Sequence, residues 1–367
     1  MSTTTTGFAN TPSNGKARPR ARGTVLLSHG GGGQLTDELV ERSILPPIAN
    51  GILSDLLDSA DLRLRAGDER LAFTIDSYVV QPLEFPGGDI GRLAVSGTVN
   101  DLSVCGAEPL GLALSLILVE GLERETLERV MVSIGATAAE AGVDVVTGDT
   151  KVIGRAATSG GGGGEPDHLY ITTAGVGVVR RSHRLHPSGV RPGDVILING
   201  SIAEHGLAVM LARELPQVHS IVRSDVAPLN ELIAGLLDRV PEVVFLRDPT
   251  RGGLAGVAAD LARRSGCRIV LDEERIPLRP EVRHAADMLG LDPLDVANEG
   301  KVVVVARPEA AERALDALRA HPLGRDAAVI GYPAAPVTGE GVCEVLTPMG
   351  GRRIVQKPYG EQLPRIC

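Results

Sequence analysis

The chain closes on Leu363-Pro364-Arg365-Ile366-Cys367, with nothing beyond the thiol except the terminal carboxylate. A cysteine contributes little to a core from that position, because chain ends are usually exposed and poorly ordered. A sulfur on a mobile end can instead receive a group at one site and present it at another. Pro364 stiffens the tether, and Arg365 favours the thiolate that the neighbouring carboxylate opposes. Taken alone, the residue is also compatible with a cysteine of no function.

Three aspartates sit beside small or polar neighbours at what read as strand ends: Asp76 in Thr74-Ile75-Asp76-Ser77-Tyr78, Asp101 in Gly97-Thr98-Val99-Asn100-Asp101, and Asp149 in Thr147-Gly148-Asp149-Thr150-Lys151. Each by itself is explained by a turn or a helix cap. Together they suggest carboxylates converging on Mg²⁺, which prefers oxygen ligands and binds through phosphates. Lys151 adds a cation suited to a β- or γ-phosphate. The turn Phe85-Pro86-Gly87-Gly88-Asp89-Ile90-Gly91 precedes a helical stretch, so the backbone N–H groups of Gly87 and Gly88 are positioned to face a phosphate. Arg251, in Asp248-Pro249-Thr250-Arg251-Gly252-Gly253, opens a second helix and suits an anion; a capped helix with a surface arginine reads equally well. Ala297-Asn298-Glu299-Gly300-Lys301 offers a carboxylate and an amide before a strand, or simply a turn. His29 leads a glycine run and suits an active-site loop, whereas His205 reads as structural or capping. Cys105, Cys267 and Cys343 read as small buried residues.

These groups need a scaffold. At 367 residues, 43% hydrophobic and 23% charged, the chain has the composition of a soluble globular protein with room for two cores. Aromatics are only 2% and Trp is absent, which argues against base stacking on single-stranded nucleic acid. A net charge of −9 argues against a phosphate-backbone partner. The cysteines form no CxxC pair, so reduced thiols and a cytoplasmic location are expected. No apolar run approaches a membrane span, and Leu110–Val119 reads as a buried strand.

Residues 1–22 read as a disordered extension without an apolar segment. An N-terminal domain over 23–181 is expected, with strands over Leu71–Val80, Gly111–Val119 and His168–Val179 and a short buried strand over Val143–Thr147. An amphipathic helix over Glu123–Ala141 stops at Gly142. Thr158–Pro166, with its glycine run, reads as a flexible hairpin insertion; it lacks the helix start and lysine of a phosphate cradle. Pro187, Gly189, Pro192 and Gly193 mark the boundary to an alternating α/β domain over 182–347. Its helices are expected near Ala203–Glu214, Pro228–Arg239, Gly252–Ser265, Pro280–Gly290 and Glu309–His321. Its strands are expected near Asp194–Ile198, Arg268–Leu271, Lys301–Ala306, Ala328–Gly331 and Cys343–Thr347. Residues 348–367 read as a mobile tail.

In this order, and with the Pro-Arg-Ile-Cys end, the motifs resemble the HypE family of hydrogenase-maturation carbamoyl dehydratases. That family lies within the aminoimidazole ribonucleotide synthetase and selenophosphate synthetase superfamily. The resemblance covers roughly residues 25–367. It implies an α/β fold of two domains with mixed sheets, ATP held mainly by the N-terminal one, and a homodimer whose N-terminal sheets combine. It implies that a carbamoyltransferase loads Cys367, that ATP phosphorylates the carbamoyl oxygen, and that loss of phosphate leaves a thiocyanate. The cyanide then passes to iron on a scaffold complex. Asp76, Asp101 and Asp149 would hold Mg²⁺; Gly87, Gly88, Lys151 and Arg251 would join them around ATP; Glu299 and Lys151 would assist catalysis, Glu299 as the base. Glu204 stands where family members often carry Asp, and it is left outside the site. A selenophosphate synthetase is disfavoured, since no cysteine precedes Cys105. A non-catalytic scaffold is disfavoured by the intact Asp76, Asp101, Asp149 and Lys151.

Overall fold

The computed structural model describes residues 33–44, 60–63, 70–154, 169–179, 185–218, 220–337, 339, 341–357, 363 and 366–367. His29, the extension over 1–22, the glycine-rich stretch 158–166, and Pro364 and Arg365 lie outside the described residues.

The first unit opens with a short helix, α1 (Gln34–Leu39), and contains the strands β1 (Ala60–Arg63), β2 (Arg70–Tyr78), β5 (Glu108–Val119), β6 (Val145–Ile153) and β7 (Leu169–Val179). They form one sheet in the order β1-β2-β7-β5-β6, antiparallel except for the β5–β6 pair. Strand β7 alternates buried and half-buried residues along its whole length, as a sheet covered on one face must. The covering helices are α2 (Ile90–Val104) and α3 (Arg124–Ala141). Asp89 caps α2 by accepting from Arg92 N at 2.8 Å. Gly142, at φ 65°, ends α3 in the left-handed conformation. Between β2 and α2 lies a tight hairpin of β3 (Glu84–Phe85) and β4 (Gly88–Asp89).

The second unit is a seven-stranded mixed sheet in the order β14-β13-β10-β12-β8-β11-β9. Its strands are β8 (Val195–Ile198), β9 (Val243–Arg247), β10 (Arg268–Asp272), β11 (Val303–Ala306), β12 (Ala328–Ala334), β13 (Cys343–Leu346) and β14 (Arg352–Val355). Its helices are α4 (Glu204–Glu214), α5 (Asn230–Arg239), α6 (Gly253–Ser265), α7 (Pro280–Leu289) and α8 (Ala311–Arg319). The two-residue period of the strands splits the core. Ile196, Ile198, Val303 and Val305 pack with α4, α6 and α7, whereas Leu197, Val302 and Val304 pack with α5 and α8.

Asn100 joins the units. Its buried amide donates to the carbonyls of Ala227 (3.1 Å) and Glu299 (3.3 Å) and accepts from Leu229 N (2.7 Å).

Four local expectations are corrected. Asp101 lies in the last turn of α2, not at a strand end, because helix α2 is buried on nearly every side and shows no polar face. The strand expected over Val143–Thr147 runs from Val145 to Ile153 and is exposed along almost its whole length at the sheet edge. Asp149 is therefore inside a strand. Strand β9 was not anticipated, and neither was β14, which pairs with β13 beyond the turn at Gly350 and Gly351. Part of the segment read as tail thus belongs to the second sheet.

Candidate active site

Asp76, near the end of β2, and Asp101, at the end of α2, face one cleft of about 320 Å³ between the two units. Thr74 Oγ1 donates to Asp101 Oδ2 at 2.9 Å, and Ser77 N donates to Asp76 Oδ1 at 2.8 Å. Asp248 and Arg251 enter from the loop ahead of α6. That loop depends on glycine: Gly253, at φ 58°, passes so close to the Leu294 and Val296 carbonyls that a side chain would collide with them. Arg251 Nη2 stands 3.9 Å from Asp76 Oδ1. Burial raises the proton affinity of Asp76 despite that cation, the mark of a carboxyl short of positive charge. Paired oxygen donors in a phosphate-sized cleft fit Mg²⁺, which commonly takes one or two carboxylates and completes its shell with phosphates and water. Among the described residues of one chain, no three His, Cys, Asp or Glu side chains are grouped to hold a metal.

Asp149 and Lys151 do not join this cleft within one chain. They pair with each other on exposed β6, Lys151 Nζ to Asp149 Oδ2 at 2.9 Å, and Lys151 holds the Asp149 carboxyl below its ordinary range. The register Asp76–Thr173, Thr173–Leu114, Leu114–Gly148 places three strand spacings, about 14 Å, between the two aspartate rows. Gly87 and Gly88 also lie elsewhere. A side chain on Gly87 would meet the Ser224 backbone at 2.7 Å, and one on Gly88 would meet Val226. These glycines let the β3–β4 hairpin close on the second unit, and among the described residues they do not line the cleft with Asp76 and Asp101.

What that hairpin closes over is the chain end. Ile366 is buried in the core shared by Phe85, Val209, Val226 and Ala297, and Cys367 packs at its margin. Val79 N donates to an oxygen of the Cys367 terminal carboxylate at 3.2 Å. The His205 ring, fully buried, reaches the Ile366 carbonyl at 2.6 Å through Nε2 and Ser224 Oγ at 2.8 Å through Nδ1. Cys367 is the foremost of the negative groups that hold Arg251 charged, ahead of Asp76, Glu299 and Tyr78. The terminal residue and the acidic cleft therefore share one arginine.

Glu299 belongs to the same region and is 3% exposed. Its Oε1 makes no hydrogen bond among the described residues. Burial, reinforced by Asp248, Asp225 and Asp76, pushes its carboxyl well above the ordinary value, with Arg251 opposing. Its backbone is fixed instead: Asp225 accepts from Glu299 N (3.3 Å) and Gly300 N (3.2 Å). Asp225 is held in turn by Lys301 Nζ at 3.0 Å, and Lys301 also contacts Glu204 Oε2 at 3.2 Å. Asn298 is committed to structure, accepting from Ala203 N and donating to the Pro249 and Val296 carbonyls. Ser224, Asp225 and Tyr78 were not singled out from the sequence, and His205 was read as structural. For His205 the one local signal was its place in Ala203-Glu204-His205-Gly206, at the start of α4.

Family models for the N-terminal and C-terminal domains of AIR synthase related proteins match residues 57–179 and 191–342. Two domains meeting at an acidic cleft thus define an AIR synthase related protein. The carbamoyl dehydratase HypE of Azotobacter vinelandii is 46% identical over 94% of this chain and 98% of its own length. The Escherichia coli K12 protein of that name is 42% identical over 94% and 99%. A crystal structure of HypE in complex with ATP superposes with TM-score 0.76 at 42% identity, covering 94% of this chain and all of that one. HypE in a HypE–HypF complex superposes with TM-score 0.79 at 41% identity, covering 87% and 99%. The chain belongs to the HypE family of carbamoyl dehydratases.

Proposed function

We propose that this protein is an ATP-dependent dehydratase that converts a carbamoyl group on Cys367 to a thiocyanate and so supplies cyanide for the iron of nickel–iron hydrogenase. The observation that carries the reading is the chain end docked through Ile366 between the two units, where the charge of Cys367 acts on Arg251, the residue that also faces Asp76 in the cleft. The carbamoyl oxygen attacks the γ-phosphorus and ADP leaves. The amide nitrogen gives up its protons, the carbon–oxygen bond breaks, and phosphate departs from a carbon–nitrogen triple bond. Phosphorylation is needed because an amide oxygen is otherwise a poor leaving group. Arg251 offsets the charge on the transferring phosphoryl group. Glu299 is the proton acceptor: its buried carboxyl is a strong base once ionised, and Arg251 favours that ionised form. Asp76 and Asp101 would hold Mg²⁺, which when bound supplies charge neutralisation at the phosphates. Closure of the β3–β4 hairpin over the tail keeps water from the phosphorylated intermediate.

The active form is read as a homodimer. Among the described residues, Phe73 (44% exposed), Ile75 (64%), Val146 (66%) and Val152 (69%) leave the outer side of the first sheet apolar and uncovered, and β6 is at an open edge. A second copy laid there would cover it. It would also bring its own Asp149 and Lys151 toward Asp76 and Asp101, which the separation within one chain forbids. Cys367 must reach a carbamoyltransferase that loads it and an iron scaffold that takes the cyanide, so the tail leaves its seat between steps. Strand β14 and Lys357 are anchored, β14 by pairing with β13 and Lys357 by Asp37. Among the described residues, no helix is long and apolar enough to cross a membrane, and a cytoplasmic location is part of the proposal.

Mass spectrometry of the C-terminal peptide after incubation with the carbamoyl donor system and ATP tests the reading. The Cys367 adduct should appear without ATP and lose the mass of one water with it. Cys367→Ala should bind ATP and carry no adduct. Formation of the cyanide precursor by that variant would overturn the assignment.

A further inference from the structure

We propose that Ser224 and His205 form a latch, locked in one tautomer, that grips the peptide carbonyl before Cys367 and thereby positions the sulfur. The role in catalysis rests on the carrier reading above; the grip itself does not.

A carbonyl oxygen only accepts, so the 2.6 Å contact requires a hydrogen on His205 Nε2. In a neutral ring Nδ1 then accepts, and its partner at 2.8 Å, Ser224 Oγ, must donate. Ser224 Oγ is free to do so, because its other bond is one it accepts, from Val226 N at 3.1 Å. The Ile366 carbonyl therefore selects the tautomer, and the Ser224 hydroxyl supplies the donor that the bare Nδ1 needs. Burial favours the neutral ring. The edge of Phe85, 5.3 Å away between centroids and 85° from coplanar, fixes the ring orientation.

Ser224 is itself placed by the first unit. Its N donates to the Pro86 carbonyl at 2.7 Å, at the point where Gly87 (φ 101°) comes too close for any side chain. A continuous chain of contacts runs from Gly87 through Ser224 and His205 to Ile366. Val79 N takes an oxygen of the terminal carboxylate, at Cys367. Two grips on consecutive residues leave the sulfur little rotational freedom, which is what pre-positioning requires. His205 and Ser224 are positioning residues, since they act on the sulfur through the Ile366 carbonyl.

The test uses full-length protein with ATP and no carbamoyl donor, so its outcome is independent of the dehydratase reading. Iodoacetamide labelling of the C-terminal peptide, followed by mass spectrometry, reports how often Cys367 leaves its seat. His205→Phe keeps the ring and removes the donor. Ser224→Ala leaves Nδ1 without its donor and the ring less firmly held. His205→Phe should label about ten to a hundred times faster, the range expected when a buried carbonyl loses its partner, and Ser224→Ala should also label faster than wild type. His205→Gln, whose amide offers a donor near the Nε2 position, should recover much of the protection. Nitrogen NMR of the wild-type ring should show the proton on Nε2. Unchanged labelling of His205→Phe, no recovery in His205→Gln, or a proton on Nδ1 would each overturn the latch; the NMR measurement decides the matter even if a variant fails to fold.

Discussion

Ile366 anchors the reactive end, and its contribution can be worked out. The side chain is 3% exposed, in a pocket formed by both units. Ile366→Ala removes three carbon groups at about 0.8 kcal/mol each, roughly 2.4 kcal/mol of burial. A core residue would add a cavity term. A tail end can undock instead, so the loss stays near the transfer value. At about 1.4 kcal/mol per factor of ten, docking should weaken some 50-fold. Ile366→Val removes one group and should weaken it about fourfold. Ile366→Met conserves volume and should stay near wild type. The assay is again the labelling rate of Cys367, read on the isolated C-terminal peptide so that Cys105, Cys267 and Cys343 do not contribute. The logarithm of the rate should rise in proportion to the groups removed, while the melting temperature changes little, because Leu363 and the remainder of both cores are untouched. A flat series, with Ala labelling like wild type, would refute burial of Ile366 as the force that holds the tail.

Glu299→Gln should abolish dehydration and also change how stability responds to pH. The native carboxyl keeps its proton well above the usual 4.5, whereas the unfolded one releases it there, so this group's contribution is complete at low pH and is lost as pH rises. The melting temperature of Glu299→Gln relative to wild type should therefore climb between pH 4 and pH 9; a constant difference would deny the buried neutral acid. Asn100→Ala strands the Leu229 N–H and two carbonyls at the domain junction, and a loss of about 3 kcal/mol or more is expected in denaturant unfolding. A loss below about 1 kcal/mol would mean that the clamp is not structural. Val146→Lys places a charge on the apolar outer sheet, and sedimentation should show a monomer with ATP turnover depressed; a monomer with full turnover would remove Asp149 and Lys151 of a second copy from the site.

The sequence alone was enough to establish the chemistry on offer and most of the local structure. Helix α3 is legible because one apolar stripe repeats and Gly142 supplies the left-handed stop. Strands β2, β5 and β7 are legible from short apolar runs between turns. Cys367, Glu299 and the aspartate motifs stand out as candidates by residue type and neighbours, and the family resemblance supplied the roles expected of them. The tertiary structure decided where those groups stand. Helix α2 is packed on nearly every face, so the run holding Asp101 has no polar stripe to announce a helix. Asp149 and Asp76 look equivalent in the chain, yet the order β1-β2-β7-β5-β6 separates them by three strand spacings. Gly87 and Gly88 look like phosphate ligands, yet they serve a hairpin that closes on Ser224. His205 and Ser224, far apart in sequence from Ile366, meet it only because α4 and the hairpin enclose the chain end. Local propensity depends on neighbours within a few residues, whereas these placements depend on strand order and domain docking, which are set by burial summed over the whole chain.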